Sequence, residues 1–214
     1  MLMTRIHGFR SLVAASALTV ATCAQAALFG GVEFPQGLSS FADTVTSYNP
    51  VVLNGQPSAG NQVAANAIGA PNGGYVSLGD GGSITLEFVD NRLTGSGTSG
   101  LDLWIFEVGP DVEDTFVEIS KDGVTWASVG KVFGATSGIN IDAFGFGIAD
   151  QFRFVRLTDD TNEGDQTGAS VGADIDSVGA ITSVIATPVP EPETWALMLA
   201  GLGVIAGALR RRRH

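Results

Sequence analysis

The sequence predicts an all-β fold: a single antiparallel β-sandwich of the jelly-roll type over residues 27–187. Three observations carry this. Of the 29 glycines, 25 fall inside that span, clustered at breaks such as Asn72-Gly73-Gly74, Gly79-Asp80-Gly81-Gly82 and Gly95-Ser96-Gly97. The segments between breaks are short and rich in Val, Ile, Phe and Thr, which suit a pleated, half-buried surface. No helical period of ten or more residues occurs in the span. Many short strands with Gly-rich turns favour a sandwich over a βαβ fold.

Each strand has its own signal. Residues 83–89 (SITLEFV) alternate, which puts Ile84, Leu86 and Phe88 on one face. Residues 101–108 (LDLWIFEV) are almost continuously apolar, as a strand covered on both faces would be. Residues 115–120 and 124–129 flank Lys121-Asp122-Gly123, and an Asp-Gly between two such runs predicts a hairpin with a type I′ turn. Residues 151–157 (QFRFVRL) and 173–185 supply the last two strands. Residues 95–100 (GSGTSG) read as a loop inside the domain.

Both ends of the chain are addresses. Arg5 and Arg10 precede 14 uncharged, mostly apolar residues, 11–24, too short for a typical span of ~20. Ala24-Gln25-Ala26 then gives a small-x-small cleavage pattern, so residues 1–26 read as a helical signal peptide cut between Ala26 and Ala27 by a signal peptidase. At the other end, residues 188–214 contain Val189-Pro190-Glu191-Pro192, then 15 apolar residues from Trp195 to Leu209, then Arg210, Arg211, Arg212 and Arg213. As a helix the apolar part reaches about 22 Å, a short transmembrane helix against roughly 30 Å of hydrocarbon. The four arginines would stay cytoplasmic and leave the body outside, the same topology as the signal peptide gives.

That three-part tail resembles the PEP-CTERM sorting signal of Gram-negative bacteria. The resemblance implies recognition by an exosortase, a membrane-embedded cysteine protease, and cleavage near Pro190–Pro192. It also implies export across the inner membrane, a transient stay in it, and a final place on the cell surface or in the extracellular matrix, commonly beside exopolysaccharide.

Charge narrows the chemistry. The chain carries −11 overall, but each end is +2 and residues 27–187 carry −15, with 20 acids against Arg92, Lys121, Lys131, Arg153 and Arg156. Such a body repels phosphate backbones, so nucleic acid is excluded as a partner. His7, His214 and Cys23 all lie in the end segments, so the body can build no Ser-His-Asp triad, Cys-His dyad, Cys/His zinc site or disulfide.

Several words inside the body are familiar together: Phe41-Ala42-Asp43 with Tyr48-Asn49-Pro50, Ile68-Gly69-Ala70-Pro71, Val76-Ser77-Leu78-Gly79, residues 102–107 (DLWIFE), residues 120–126 (SKDGVTW) and residues 173–178 (ADIDSV). Their order resembles a family of bacterial secreted and cell-surface domains that look like galactose-binding, discoidin-like jelly rolls. The resemblance covers about residues 41–182. It implies a surface role and no defined reaction.

Carboxylates are the remaining chemistry. Asp174 and Asp176 lie two apart, which on a strand gives one face, and like charges there need solvent or a cation. Oxygen ligands alone suit Ca²⁺. The Asp-Ile-Asp word also resembles the last strand of calcium-binding carbohydrate modules, which makes Asp43 a partner by position; Glu107, at the end of an apolar strand, is a further candidate. Asp102 begins that strand but falls on the opposite face from Glu107. The alternative for these acids is hydrogen bonding or pairing with Arg153 or Arg156. Residues 159–165 (DDTNEGD) place Gly164 at the sixth position of an EF-hand loop but Ser170 at the twelfth, so a solvated loop is the better reading. Trp104 and Trp126 read as core, and Tyr48 and Tyr75 as the exposed rings.

The expected protein is therefore non-catalytic, with a structural or adhesive role, Ca²⁺ as its only cofactor and weak glycan binding. A specific carbohydrate-binding module for exopolysaccharide is the alternative, marked by an exposed aromatic pair beside polar groups. A glycan hydrolase or lyase using two carboxyls is the third.

Overall fold

The computed structural model describes residues 25–109, 113–163, 167–186 and 199–202. The signal segment up to residue 24, the motif Val189-Pro190-Glu191-Pro192 and the cluster Arg210–Arg213 lie outside the described residues. Residues 199–202 are helical, and among the described residues no helix is long and apolar enough to cross a membrane.

The strands run in chain order as β1 (Ala27–Phe29), β2 (Val32–Phe34), β3 (Thr44–Asn49), β4 (Val76–Ser77), β5 (Ser83–Glu87), β6 (Asn91–Leu93), β7 (Leu103–Glu107), β8 (Thr115–Ser120), β9 (Trp126–Val132), β10 (Thr136–Ile139), β11 (Phe154–Asp159), β12 (Asp174–Ala180) and β13 (Ser183–Ile185). One sheet has the order β10-β7-β12-β4 and the other β3-β5-β11-β8-β9, every pair antiparallel. From β4 onward the chain passes back and forth between the two sheets, the connectivity of a jelly roll. Two small pairs, β1-β2 and β6-β13, complete the set.

Alternation builds the core. Ile84 and Leu86 of β5, Val117 and Ile119 of β8, Val129 of β9 and Val155 and Leu157 of β11 face Leu103 and Ile105 of β7 and Ile175, Val178 and Ala180 of β12 in one buried cluster. Phe88, just past β5, joins it as the alternation of residues 83–89 requires. The apolar run at 101–108 has the cause expected of it. Leu103 and Ile105 enter the main core, while Trp104 and Phe106 enter a second cluster with Phe29, Phe34 and Phe41 on the sheet's outer side. The β1-β2 hairpin supplies that cover: the rings of Phe34 and Phe41 lie 4.7 Å apart and those of Phe29 and Phe41 5.0 Å apart, edge-on. Gly179 passes directly beneath, where a Cβ would stand 2.6 Å from Phe34 and 2.8 Å from Phe41.

Three local expectations change. The Asp-Gly hairpin forms, but β8 ends at Ser120 and β9 starts at Trp126, so the connection is a five-residue loop with positive φ at Gly123 and not a two-residue type I′ turn. Asp122 organises it instead, its Oδ1 accepting from the amides of Val124 and Thr125, each at 2.8 Å. Residues 173–185 are two strands, because β12 ends at Ala180 and β13 leaves to pair with β6. The acids at 159–160 are not a solvated run. Asp159 is buried and accepts from the amides of Gly81 and Ala173, and Asp160 is buried against Lys131.

Candidate functional site

The carboxylates fall in separate places. Asp43 stands after the turn that precedes β3, where its Oδ2 accepts from the Val89 amide at 2.6 Å. Asp176 occupies the bulge in β12 between Ile175 and Ser177, and its two oxygens accept from the amides of Asn72 and Gly73. Asp102 accepts from Ile141 N and Thr182 Oγ1, well away from Glu107. Arg153 and Arg156 pair with Glu87 and Glu118 and with none of these acids.

Of the four candidates only Glu107 and Asp174 touch, and they do so through the Asp174 backbone amide. Glu107 Oε1 accepts from the amides of Glu113 and Asp174, and Asp174 Oδ1 accepts from Ser77 Oγ at 2.5 Å. Burial pushes the Glu107 carboxyl up to about 9, with the Glu113 side chain adding to it. Burial likewise pushes Asp174 up to about 7, against the pull of Ser77 and with help from Glu113 and Asp159. Glu113, missed by sequence reasoning, is thus the residue that couples the pair. As one ligand set the four expected acids do not fit a shared Ca²⁺: the Asp43 and Asp176 carboxylates are held by amides elsewhere. Among the described residues no group of three His, Cys, Asp or Glu side chains forms that could hold a metal ion.

The aromatic side chains redistribute too. Tyr48 is turned inward against the core, and its hydroxyl donates to Ser77 O at 2.6 Å. Trp126 is turned outward. Ala127 and Val129 are the core residues of β9, so Trp126 and Ser128 occupy the other face, and Val124 is 82 % exposed in the loop. The outer face of the five-stranded sheet then carries a compact constellation. Trp126 is opposite Ser120, which is opposite Phe154; one step along, Glu118 is opposite Arg156 and Arg156 opposite Thr85. The Arg156 guanidinium lies 4.2 Å from the centre of the Trp126 ring, and its Nε donates to Glu118 Oε2 at 2.7 Å. Arg153 covers Phe154 at 5.3 Å and donates to Glu87 at 2.6 Å.

Trp126 is in the lining of two recesses, one on each side of the sheet. One, of about 380 Å³, is lined by Thr46, Ser47, Thr85, Trp126, Phe154 and Arg156. The other, of about 360 Å³, is mostly apolar, with Ala127, Phe146 and Phe152 in its wall and Lys121, Asp122 and Thr125 beside them. Aromatic surface next to a few hydroxyls and one planar cation is the composition of a small-ligand site, and both volumes fall in the usual ~300–1,000 Å³ range. The signal for Trp126 was present in the sequence: Ala127 and Val129 form the apolar alternation, and Trp126 belongs to the complementary set.

Residues 188–213 match the PEP-CTERM protein-sorting motif. No curated protein matches this chain. Among solved structures the chain is similar to the C-terminal domain of a chitobiase from Bacteroides fragilis, with 14% identity, coverage of 49% of this chain and 64% of that one, and a TM-score of 0.32. It is also similar to CpGH89CBM32-6 of Clostridium perfringens, with 15% identity, coverage of 70% and 94%, and a TM-score of 0.35. The fold is a β-sandwich and its tail is a sorting signal. The motif makes the chain an exported protein of Gram-negative type, addressed to an exosortase through a membrane-anchored stage.

Proposed function

We propose that this chain delivers a non-catalytic glycan-binding β-sandwich to the cell surface or extracellular matrix, and that the Trp126 face holds the exopolysaccharide there. The outward position of Trp126 beside Phe154, Arg156 and the hydroxyls of Thr46, Ser47 and Thr85 supports this reading. A pyranose has an apolar C–H face that an indole can cover and a rim of hydroxyls that Thr, Ser and a guanidinium can bond. This favours the specific carbohydrate-binding module over a purely structural role. In this reading the sandwich is a binder rather than a hydrolase or lyase; the nearest carboxylates, Glu87 and Glu118, are each paired with an arginine.

The full chain, purified in detergent, is run through native gels cast with the producing strain's exopolysaccharide. Retardation is expected for the wild type and not for Trp126→Ala at equal thermal stability. Equal mobility of the wild type with and without polymer would sink the proposal.

Ca²⁺ enters as a separate proposal restricted to Glu107 and Asp174. An ion bound by either buried carboxyl would offset the cost of charging it there. Its test is thermal and is given with the Glu107 variant below.

A further inference from the structure

We propose that the end of the sandwich from which both terminal segments leave is a membrane-contact surface, with Leu38, Val89 and Ile185 resting in the lipid interface while the sorting tail anchors the chain. This surface is separate from the glycan reading of the Trp126 face and stands or falls without it.

Hydrogen bonds and packing put the two exits side by side. At the front, the Gln25 carbonyl lies on Gly37, so closely that a Cβ there would collide with it. At the back, Gln36 Nε2 donates to Ser183 O at 2.8 Å, and Ala186 N donates to Asp90 O at 2.8 Å. The Ser39 side chain closes the gap by hydrogen bonding to the Asp90 carboxyl. Residues 25 and 186 therefore flank one small area, built from the 3-10 turn Gly37–Ser40 and the pair β6-β13. Apolar side chains stand around it. Leu38 and Ile185 are 71 % and 72 % exposed and Val89 about half. Leu38 adjoins Ser39, Val89 adjoins Asp90, and Ile185 is opposite Asn91, so the three surround Asp90. Burial and the neighbouring Asp43 push the Asp90 carboxyl up, which lowers the cost of bringing it to lipid.

Chain length names the occupant. Eight residues, 187–194, separate Ala186 from Trp195, where the apolar run of the tail begins. Even fully extended they reach no more than ~29 Å. On the other side the expected signal segment ends at Ala24, directly before Gln25. A molecule held by two short tethers on one end keeps that end toward the bilayer. Exposed leucine, isoleucine and valine placed there gain by entering the boundary between headgroups and acyl chains. The opposite end is held away. Glu87, two residues before Val89, is opposite Phe154, which is opposite Ser120, which is opposite Trp126. β9 thus starts at the tethered end and runs seven residues, up to ~23 Å, to Val132. Phe133, just beyond, is as exposed as Leu38 but faces away from the bilayer in this arrangement.

The test uses the full chain carrying Cys23→Ser and one new cysteine, Leu38→Cys, Ile185→Cys or Phe133→Cys, labelled with a fluorophore. Each is reconstituted into vesicles of phosphatidylethanolamine and phosphatidylglycerol with a nitroxide quencher on the headgroup. All three positions are exposed, so melting temperatures should match that of the unlabelled chain. Expected is quenching at 38 and 185 at least about twofold stronger than at 133. Val89→Ser with Leu38→Ser should reduce the quenching at 185. An insertion of about twelve Gly/Ser residues after Thr187, which lengthens the tether without stiffening it, should leave most of that quenching in place. Equal quenching at the three positions would overturn the proposal. So would a preference for 38 and 185 that the insertion abolishes or that the serine substitutions leave untouched, since the tether alone would then account for it.

Discussion

At the scale of single residues, burial decides chemistry more than spacing does. Glu107 and Asp174 are 5 % and 3 % exposed, and their carboxyls rise to about 9 and about 7. In the unfolded chain both revert to ordinary values near 4. Between those limits the folded state binds more protons than the unfolded state. Their contribution to stability is therefore complete below about pH 4 and is lost as the pH rises through about 7 and then about 9. Glu107→Gln keeps an acceptor for the amides of Glu113 and Asp174 and removes the charge. It should raise stability at pH 8 by up to about 5 kcal/mol, flatten the alkaline decline, and change little at pH 4. Urea melts at the two pH values check this; an equal effect at both would refute the assignment. The same melts with Ca²⁺ and with EDTA settle the ion. A rise with Ca²⁺ at pH 8 that disappears in Glu107→Gln places an ion at the pair, and no rise removes it. The sequence revealed that Glu107 ends an apolar strand. It could not reveal that Glu113, across a loop, is its neighbour, because that contact depends on where the chain returns. Trp126 is outward and not core for a smaller reason: Val124, two residues before it, lies in the loop, so the apolar alternation of β9 runs through Ala127 and Val129, and a one-residue change of origin exchanges the two faces of a strand.

At the scale of elements, β7 and β12 show what periodicity can and cannot disclose. The run at 101–108 announced a strand covered on both faces, and the Phe cluster is that second cover. Which element supplied it was hidden, since β1 and β2 are three-residue strands with little pattern of their own. The bulge in β12 was hidden too: Asp174 and Asp176 have the spacing of a regular strand, yet the register shifts at Asp176 and its carboxylate goes to the 72–73 amides. Gly179 follows from the same packing. Gly179→Ala would press a methyl against Phe34 and Phe41, whose rings are themselves stacked with Phe29 and Phe106, so neither can withdraw freely. We expect a loss of about 1–3 kcal/mol. Phe34→Leu together with Gly179→Ala should recover part of it, because the shorter side chain vacates the contact. Denaturant midpoints of the two variants decide; a single variant as stable as the wild type would mean that the hairpin does not press on the sheet.

At the scale of the whole molecule, charge and address are divided along the chain. The −15 sandwich carries the proposed binding face, and residues 188–213 carry a sorting signal with four arginines at its end. As a helix, the 15-residue apolar run would reach about 22 Å against roughly 30 Å of hydrocarbon, so the arginines behind it would do most of the holding. Such an anchor would present the motif at the membrane and still be temporary. If the tail alone is the address, a chain ending at Thr187 should still be exported, since residues 1–26, expected to direct export, are intact. It should then appear as soluble periplasmic protein, absent from the membrane and surface fractions. Replacing Arg210–Arg213 by alanine should give a different result, with the protein exported and the membrane-held form diminished, because the apolar run stays but its cytoplasmic lock is gone. Cell fractionation with an antibody to the sandwich reads all three forms. A Thr187-terminated chain that still reached the surface in wild-type amounts would show that the sandwich, through its own glycan contacts, suffices for retention, and Trp126→Ala in that truncated chain would then release it.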